Sequence, residues 1–134
     1  MGENLQSIVI DFNNTLQELM DQLYVATHDN ELEINKELIR KAITANKTLL
    51  IQQYCIHILQ FKDLIYNRDE KVIDRLNVND INRKEGGDEE TLDKILKLKT
   101  MWSYLSEDNK ECVFDYLEIL TDKATNYFSI KYSK

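Results

Sequence analysis

The sequence predicts an all-α fold: a single-domain bundle of about four to five helices, with a long central helix and a C-terminal antiparallel helix hairpin. Three observations carry that expectation. Apolar residues recur at three- and four-residue steps through most of the chain, which is the signature of amphipathic helices. The 134 residues include no proline and only three glycines, Gly2, Gly86 and Gly87, so the tight turns of a β-sandwich or barrel lack their usual residues. With 43% hydrophobic and 31% charged residues, the chain is too apolar for intrinsic disorder and of a length for one core.

The first helix is expected over 4–26. Leu5, Ile8, Phe12, Leu16, Leu19 and Leu23 make its apolar face, and Asp11, Glu18 and Asp21 lie opposite. Thr27 to Asn30 is a polar break. The second and longest helix is expected over 35–67, with Asn35 as its cap and a hydrophobic staple between Ile34 and Ile39. Its seam runs through Ile39, Ile43, Leu50, Tyr54, Ile58, Phe61 and Ile65, and the stretch from Leu49 to Leu59 is apolar nearly all round. Such a helix belongs at the centre of a bundle. Asn46 is where a bend would fall. A short helix over 69–77 would turn Val72, Ile73 and Leu76 inward.

Residues 78–88 hold Asn79 and Asn82, a charge run and the Gly86-Gly87 pair, and read as a loop. Asp88 then caps a helix over 89–105, with Glu89 and Glu90 suited to its first turn and Leu92, Ile95, Trp102 and Leu105 on its seam. Ser106 or Asp108 starts the last helix, over 108–129, where Asp108 and Glu111 have capping-box spacing. Val113, Tyr116, Leu117, Leu120, Ala124 and Tyr127 line it. The short connection between these two helices predicts the antiparallel hairpin. Residues 130–134 read as a frayed tail.

The formal net charge is −7, and it is localised. Residues 1–35 contain Glu3, Asp11, Glu18, Asp21, Asp29, Glu31 and Glu33 and no Lys or Arg, whereas the remainder balances 17 basic against 17 acidic residues. The acidity argues against a protein that tracks nucleic-acid phosphates without regard to sequence. It favours an acidic face that meets a basic partner. No apolar run is long enough to span a membrane, and no secretory leader is expected. Met1-Gly2 lacks the Ser or Thr at position 6 that myristoylation wants, since Gln6 stands there. Cys55 and Cys112 have no framework spacing and are expected to be reduced thiols.

Chemical motifs are missing. There is no Glu-x-x-His pair for a di-iron bundle. Cys55 and His57 sit two residues apart, so on a helix they do not converge on one ion. The Gly86-Gly87 pair lies between Glu85 and Asp88 and is not a phosphate loop. No nucleophile elbow is present. The expectation is therefore no catalytic residue, no metal and no cofactor. Lys94, Lys97 and Lys99 form a local basic stretch, best read as a solvated mixed face beside Glu90 and Asp93. Trp102, Tyr104, Phe114 and Tyr116 flank the turn at 105–108. They are candidate anchors for a protein partner, with core packing as the plainer alternative.

Two blocks carry a resemblance. The run Phe12 to Leu23 (FNNTLQELMDQL) and the run Leu98 to Leu120 (LKTMWSYLSEDNKECVFDYLEIL) resemble paired motifs of small all-helical proteins of nucleocytoplasmic large DNA viruses, of the giant-virus and algal-virus kind. The first block departs at Asp21-Gln22-Leu23, where a residue-Asp-Leu ending would stand. The resemblance covers under a third of the chain. It implies no catalytic residues. It implies a viral protein made in the host cytoplasm, with carriage in the virion as a further expectation. The Asn, Ile and Lys usage suits an AT-rich genome.

The functional expectation is a non-enzymatic helical protein acting through protein–protein interaction, as a virion or assembly component, with self-association among its modes. Its candidate contact residues are Asp11, Glu18, Asp21, Trp102, Tyr104, Phe114 and Tyr116. The alternatives are a nucleic-acid-associated packaging or regulatory factor, and a viral mimic of a host helical regulator such as an apoptosis inhibitor.

Overall fold

The computed structural model describes residues 4–75 and 101–132, and every regular element among them is helical. Among the described residues there are six complete α-helices: α1 (Leu5–Thr27), α2 (Asn30–Ala45), α3 (Leu49–His57), α4 (Lys62–Tyr66), α5 (Lys71–Arg75) and α6 (Glu107–Tyr132). Short 3-10 turns stand at Leu59–Phe61 and Trp102–Tyr104. Among the described residues no helix is long and apolar enough to cross a membrane. The loop expected over 78–88, and residues 89–100 of the helix expected after it, lie outside the described residues, as does Leu76.

Helix α1 forms as its periodicity requires. The Asn4 side chain accepts from the Ser7 N–H at 2.8 Å and so caps the first turn. Ile8, Val9, Phe12, Leu16, Leu19, Met20 and Leu23 are buried. The helix ends at His28, which takes the left-handed conformation at φ 55° and donates its N–H to the Tyr24 carbonyl. Asp29 then caps α2, accepting from the Glu31 N–H at 2.9 Å. The second helix therefore starts at Asn30, five residues earlier than the Asn35 cap expected. Asn35 lies inside it, and Ile34 is 63% exposed, so no staple forms. The short Asp side chain at 29 closes the first turn as soon as the chain leaves His28, and that local hydrogen bond decides the boundary.

The long helix expected over 35–67 is three helices. The first break falls at Asn46, the residue where a bend was expected. Its backbone is extended, at φ −158° and ψ 100°. Its side chain accepts from the Thr48 N–H at 3.2 Å and from the Thr48 hydroxyl at 3.0 Å. Asn does this readily, offering the backbone a partner that competes with the helix. A break also frees carbonyls, and the buried Asn13 amide of α1 donates to that of Lys47 at 3.0 Å. The second break runs from Ile58 through the 3-10 turn to Phe61. Ile56 consequently points out, at 67% exposure, and the segment is not apolar all round in space.

The main packing pair is α1 with α6, and the two run in opposite directions. Asp11 meets Lys123 at 3.3 Å, whereas Leu19, Gln22, Leu23 and Ala26 share a cleft with Asn109, Cys112 and Val113. From α6 the core receives Val113, Phe114, Leu117, Leu120, Ala124 and Tyr127. Each of Val113, Phe114, Leu117 and Leu120 contributes about 1.5–3 kcal/mol on burial, set against the entropy of ordering it. Tyr54 of α3 is fully buried between them. Its ring stands edge-on to Phe12 at 5.3 Å. Its hydroxyl lies 3.2 Å from the Leu117 carbonyl and 2.8 Å from the Thr121 hydroxyl.

Helix α6 starts at Glu107, and Ser106 is its cap: the Asn109 N–H donates to the Ser106 hydroxyl at 3.1 Å and the Lys110 N–H to its carbonyl at 2.9 Å. Asp108 thus lies two positions past the cap, inside the first turn. The helix continues to Tyr132, so residues 130–132 are not frayed. Within 101–105, Trp102–Tyr104 is a 3-10 turn and not α-helix.

Candidate interaction face

The expected contact residues separate into two kinds. Trp102 and Phe114 are core residues, 9% and 2% exposed, with rings crossed at 5.7 Å and 87°. The Trp102 indole N–H donates to Glu70 at 2.9 Å, and Lys110 lies over its ring at 5.5 Å. Neither ring can anchor a partner without unfolding the 101–114 corner. Only Tyr104 of that group is well exposed, at 81%. Tyr116 is half-buried. An aromatic pair on either side of a turn reads alike in sequence whether it faces in or out, and the α4–α5 segment decides the matter here by covering it.

The carboxylates of α1 all lie at the surface. Asp21 pairs with Lys36 of α2 at 2.6 Å, which raises the lysine above its ordinary value, and Asp11 pairs with Lys123. Glu18 lies between them along the helix. Beside α1, helix α6 supplies a second row. Glu111, Asp115, Glu118 and Asp122 follow at i, i+4, i+7 and i+11, which is one face of a helix. Tyr116 of α6 is half-buried: burial pushes its phenol up, and neighbouring charges, Glu18 first, add to that.

The α6 row is organised by one cation. The Arg68 guanidinium donates through Nε to Glu118 at 3.0 Å, through Nη1 to Glu111 at 2.6 Å and through Nη2 to Asp115 at 2.6 Å. It lies 6.0 Å from the Phe114 ring centre. These bonds hold the proton on Arg68 still more firmly than usual, with Glu118 the largest influence. Arg68 can reach them because it stands at the end of α4 in the left-handed conformation, φ 54°. The Arg68 N–H donates to Ile65 and the Asp69 N–H to Leu64, closing a Schellman ending whose left-handed position glycine usually takes. The row continues at Asp122, which accepts from the Tyr66 hydroxyl. Burial, then Asp122, pushes that phenol up to about 12.

One guanidinium among four carboxylates leaves the row negative, and Ile119, 43% exposed, sits between Asp115 and Asp122 on it. The spacing of the α6 row is present in the sequence, but there it is diluted by Lys110 and Lys123, whereas residues 1–35 carry no Lys or Arg. Arg68 had no sequence signal. Among the described residues no group of His, Cys, Asp or Glu is placed to hold a metal ion. Cys55 is half-buried, and burial pushes its thiol up to about 11, which keeps it protonated and unreactive. Comparison with protein-family models, curated proteins and solved structures returns no match.

Proposed function

We propose that this chain is a non-enzymatic protein that acts through protein–protein interaction, with the joined carboxylate rows of α1 and α6 as its contact face. The observation that carries the reading is the antiparallel packing of α1 on α6, which puts Asp11, Glu18 and Asp21 on the same helix pair as the row Glu111, Asp115, Glu118 and Asp122. Acidic side chains from two distant parts of the chain are carried by one helix pair, and only part of their charge is neutralised by Lys36, Arg68 and Lys123. Such a face suits a basic partner, where complementarity chiefly sets association rate and specificity. The scaffold is read as a helical bundle, ending in a hairpin whose second arm is α6. The viral-motif resemblance of Phe12 to Leu23 and Leu98 to Leu120 supports an assembly or virion component, made in the host cytoplasm.

The test is kinetic. The full chain is immobilised, its captured partner is identified, and association is timed with the Glu18→Gln/Glu111→Gln variant. The reading predicts a slower on-rate with little change in off-rate, and a wild-type on-rate that falls with salt. An on-rate indifferent to both would remove the acidic face from the contact.

A further inference from the structure

Helix α2 is the least covered of the long helices. Of its 16 residues only Leu32 and Ile39 are buried. Its C-terminal half is basic: Lys36, Arg40 and Lys41, with Lys47 just past the break, stand against Glu37, which pairs with Arg40, and Asp21 of α1, which pairs with Lys36. Two clefts open there and share Arg40. One, of about 160 Å³, lies between α1 and α2, with Met20 and Ile39 in its lining beside Lys36. The other, of about 280 Å³, runs along α2 between Glu37, Lys41, Thr44 and Ala45.

The complement is on the same chain. The α6 row from Glu111 to Asp122 spans eleven residue steps, about 16 Å of helix, and on α2 the basic residues Lys36, Arg40 and Lys41 span about 8 Å before the break at Asn46. Four carboxylates against Arg68 leave the row with an excess of negative charge. Ile119 adds an exposed apolar side chain to the row. Within one molecule α2 packs on α1 and α3, while the row is engaged by Tyr66 and Arg68. A contact between row and basic half therefore joins separate molecules.

We propose that the occupant of the α2 basic face is the α6 carboxylate row of a second copy of this chain. The contact joins two different surfaces, so each copy offers both a donor and an acceptor face. This rests on the reading of the acidic face as a contact surface and names one partner for it.

Light scattering on the full-length chain tests it, at micromolar concentrations in about 0.01 M and about 1 M salt, where the screening length is about 30 Å and about 3 Å. The weight-average mass should rise with concentration at low salt and fall back to 15.9 kDa at high salt. Arg40→Glu/Lys41→Glu should weaken assembly by about tenfold to about hundredfold, as should Glu111→Lys/Asp115→Lys. Mixing the two variants should restore it, because each now complements the other. Circular dichroism checks that both remain folded, and Arg40→Gln/Lys41→Gln, which adds no repulsion, should give an intermediate loss. A wild-type monomer throughout, an Arg40→Glu/Lys41→Glu variant that assembles normally, or a mixture that stays monomeric would each overturn the self-contact. None of these outcomes bears on the on-rate test with a captured partner, so the two ideas fail separately.

Discussion

Replacing Arg68 separates two opposing contributions, and the structure assigns a size to each. The side chain makes three ion pairs. That to Glu118 is the most shielded, with the two side chains 30% and 31% exposed, whereas Glu111 and Asp115 are 67% and 62% exposed. The first contributes about 1 kcal/mol and the others about 0.5 kcal/mol each, after solvent screening. Against this, a non-glycine residue in the left-handed region costs about 1 kcal/mol. Arg68→Ala loses the pairs and keeps the backbone cost, so unfolding free energy should drop by about 2 kcal/mol. Arg68→Gly loses the same pairs and relieves the backbone, so it should drop by only about 1 kcal/mol. For a chain of this length that difference is about 3–5 °C in Tm. Urea denaturation followed by circular dichroism measures both, and about 1 M salt should lower the wild type toward the variants. Should Arg68→Gly prove as unstable as Arg68→Ala, the Schellman geometry assigned to Leu64–Asp69 would be wrong.

Other expectations follow from single contacts. Tyr54→Phe keeps the ring against Phe12 but removes the hydroxyl between Leu117 and Thr121, at a cost of about 1–2 kcal/mol in a urea titration; an unchanged midpoint would show that the hydroxyl is idle. Ser106→Ala removes the α6 cap and should cost about 1 kcal/mol by the same assay. Stability should also fall on the alkaline side. Cys55 is raised from 9.0 to about 11 and Tyr66 from 10.0 to about 12, and burial raises Tyr54 as well. The fold holds these protons more tightly than the unfolded chain does. That stability is complete below the ordinary values and is lost as pH climbs from about 9 toward 12. A Tyr54→Phe/Cys55→Ala variant should show a shallower decline above pH 9 in thermal melts taken across pH.

The helical class and the buried faces of α1 and α6 were legible because both are read along one helix: Ile8, Phe12, Leu16 and Leu23 in α1, and Val113, Leu117, Leu120 and Ala124 in α6, stand inward as their spacing requires. The break at Asn46 was half legible, as a polar residue on an apolar seam. What completes it is the Asn13 amide, contributed from 34 positions away in sequence. The break at Ile58 has no local marker at all. Trp102 and Phe114 looked equally suited to a surface and to a core, since Glu70 and Arg68, which help to cover them, are brought by the α4–α5 segment from more than 30 residues away. Arg68 escapes sequence reading for a sharper reason: its place in the ending of α4 is one that glycine usually signals. The side-chain bonds that hold an arginine there come from Glu111, Asp115 and Glu118, more than 40 residues further on.

The central claim is that α1 and α6 present one acidic contact face. Amide hydrogen exchange on the full chain, alone and saturated with its captured partner, tests that claim most directly. The account predicts added protection over residues 111–122 and along the outer side of α1 near Glu18, with the Trp102 corner unchanged. Protection confined to the Trp102 corner or to the outer side of α3 at Ile56, with residues 111–122 unaltered, would contradict it.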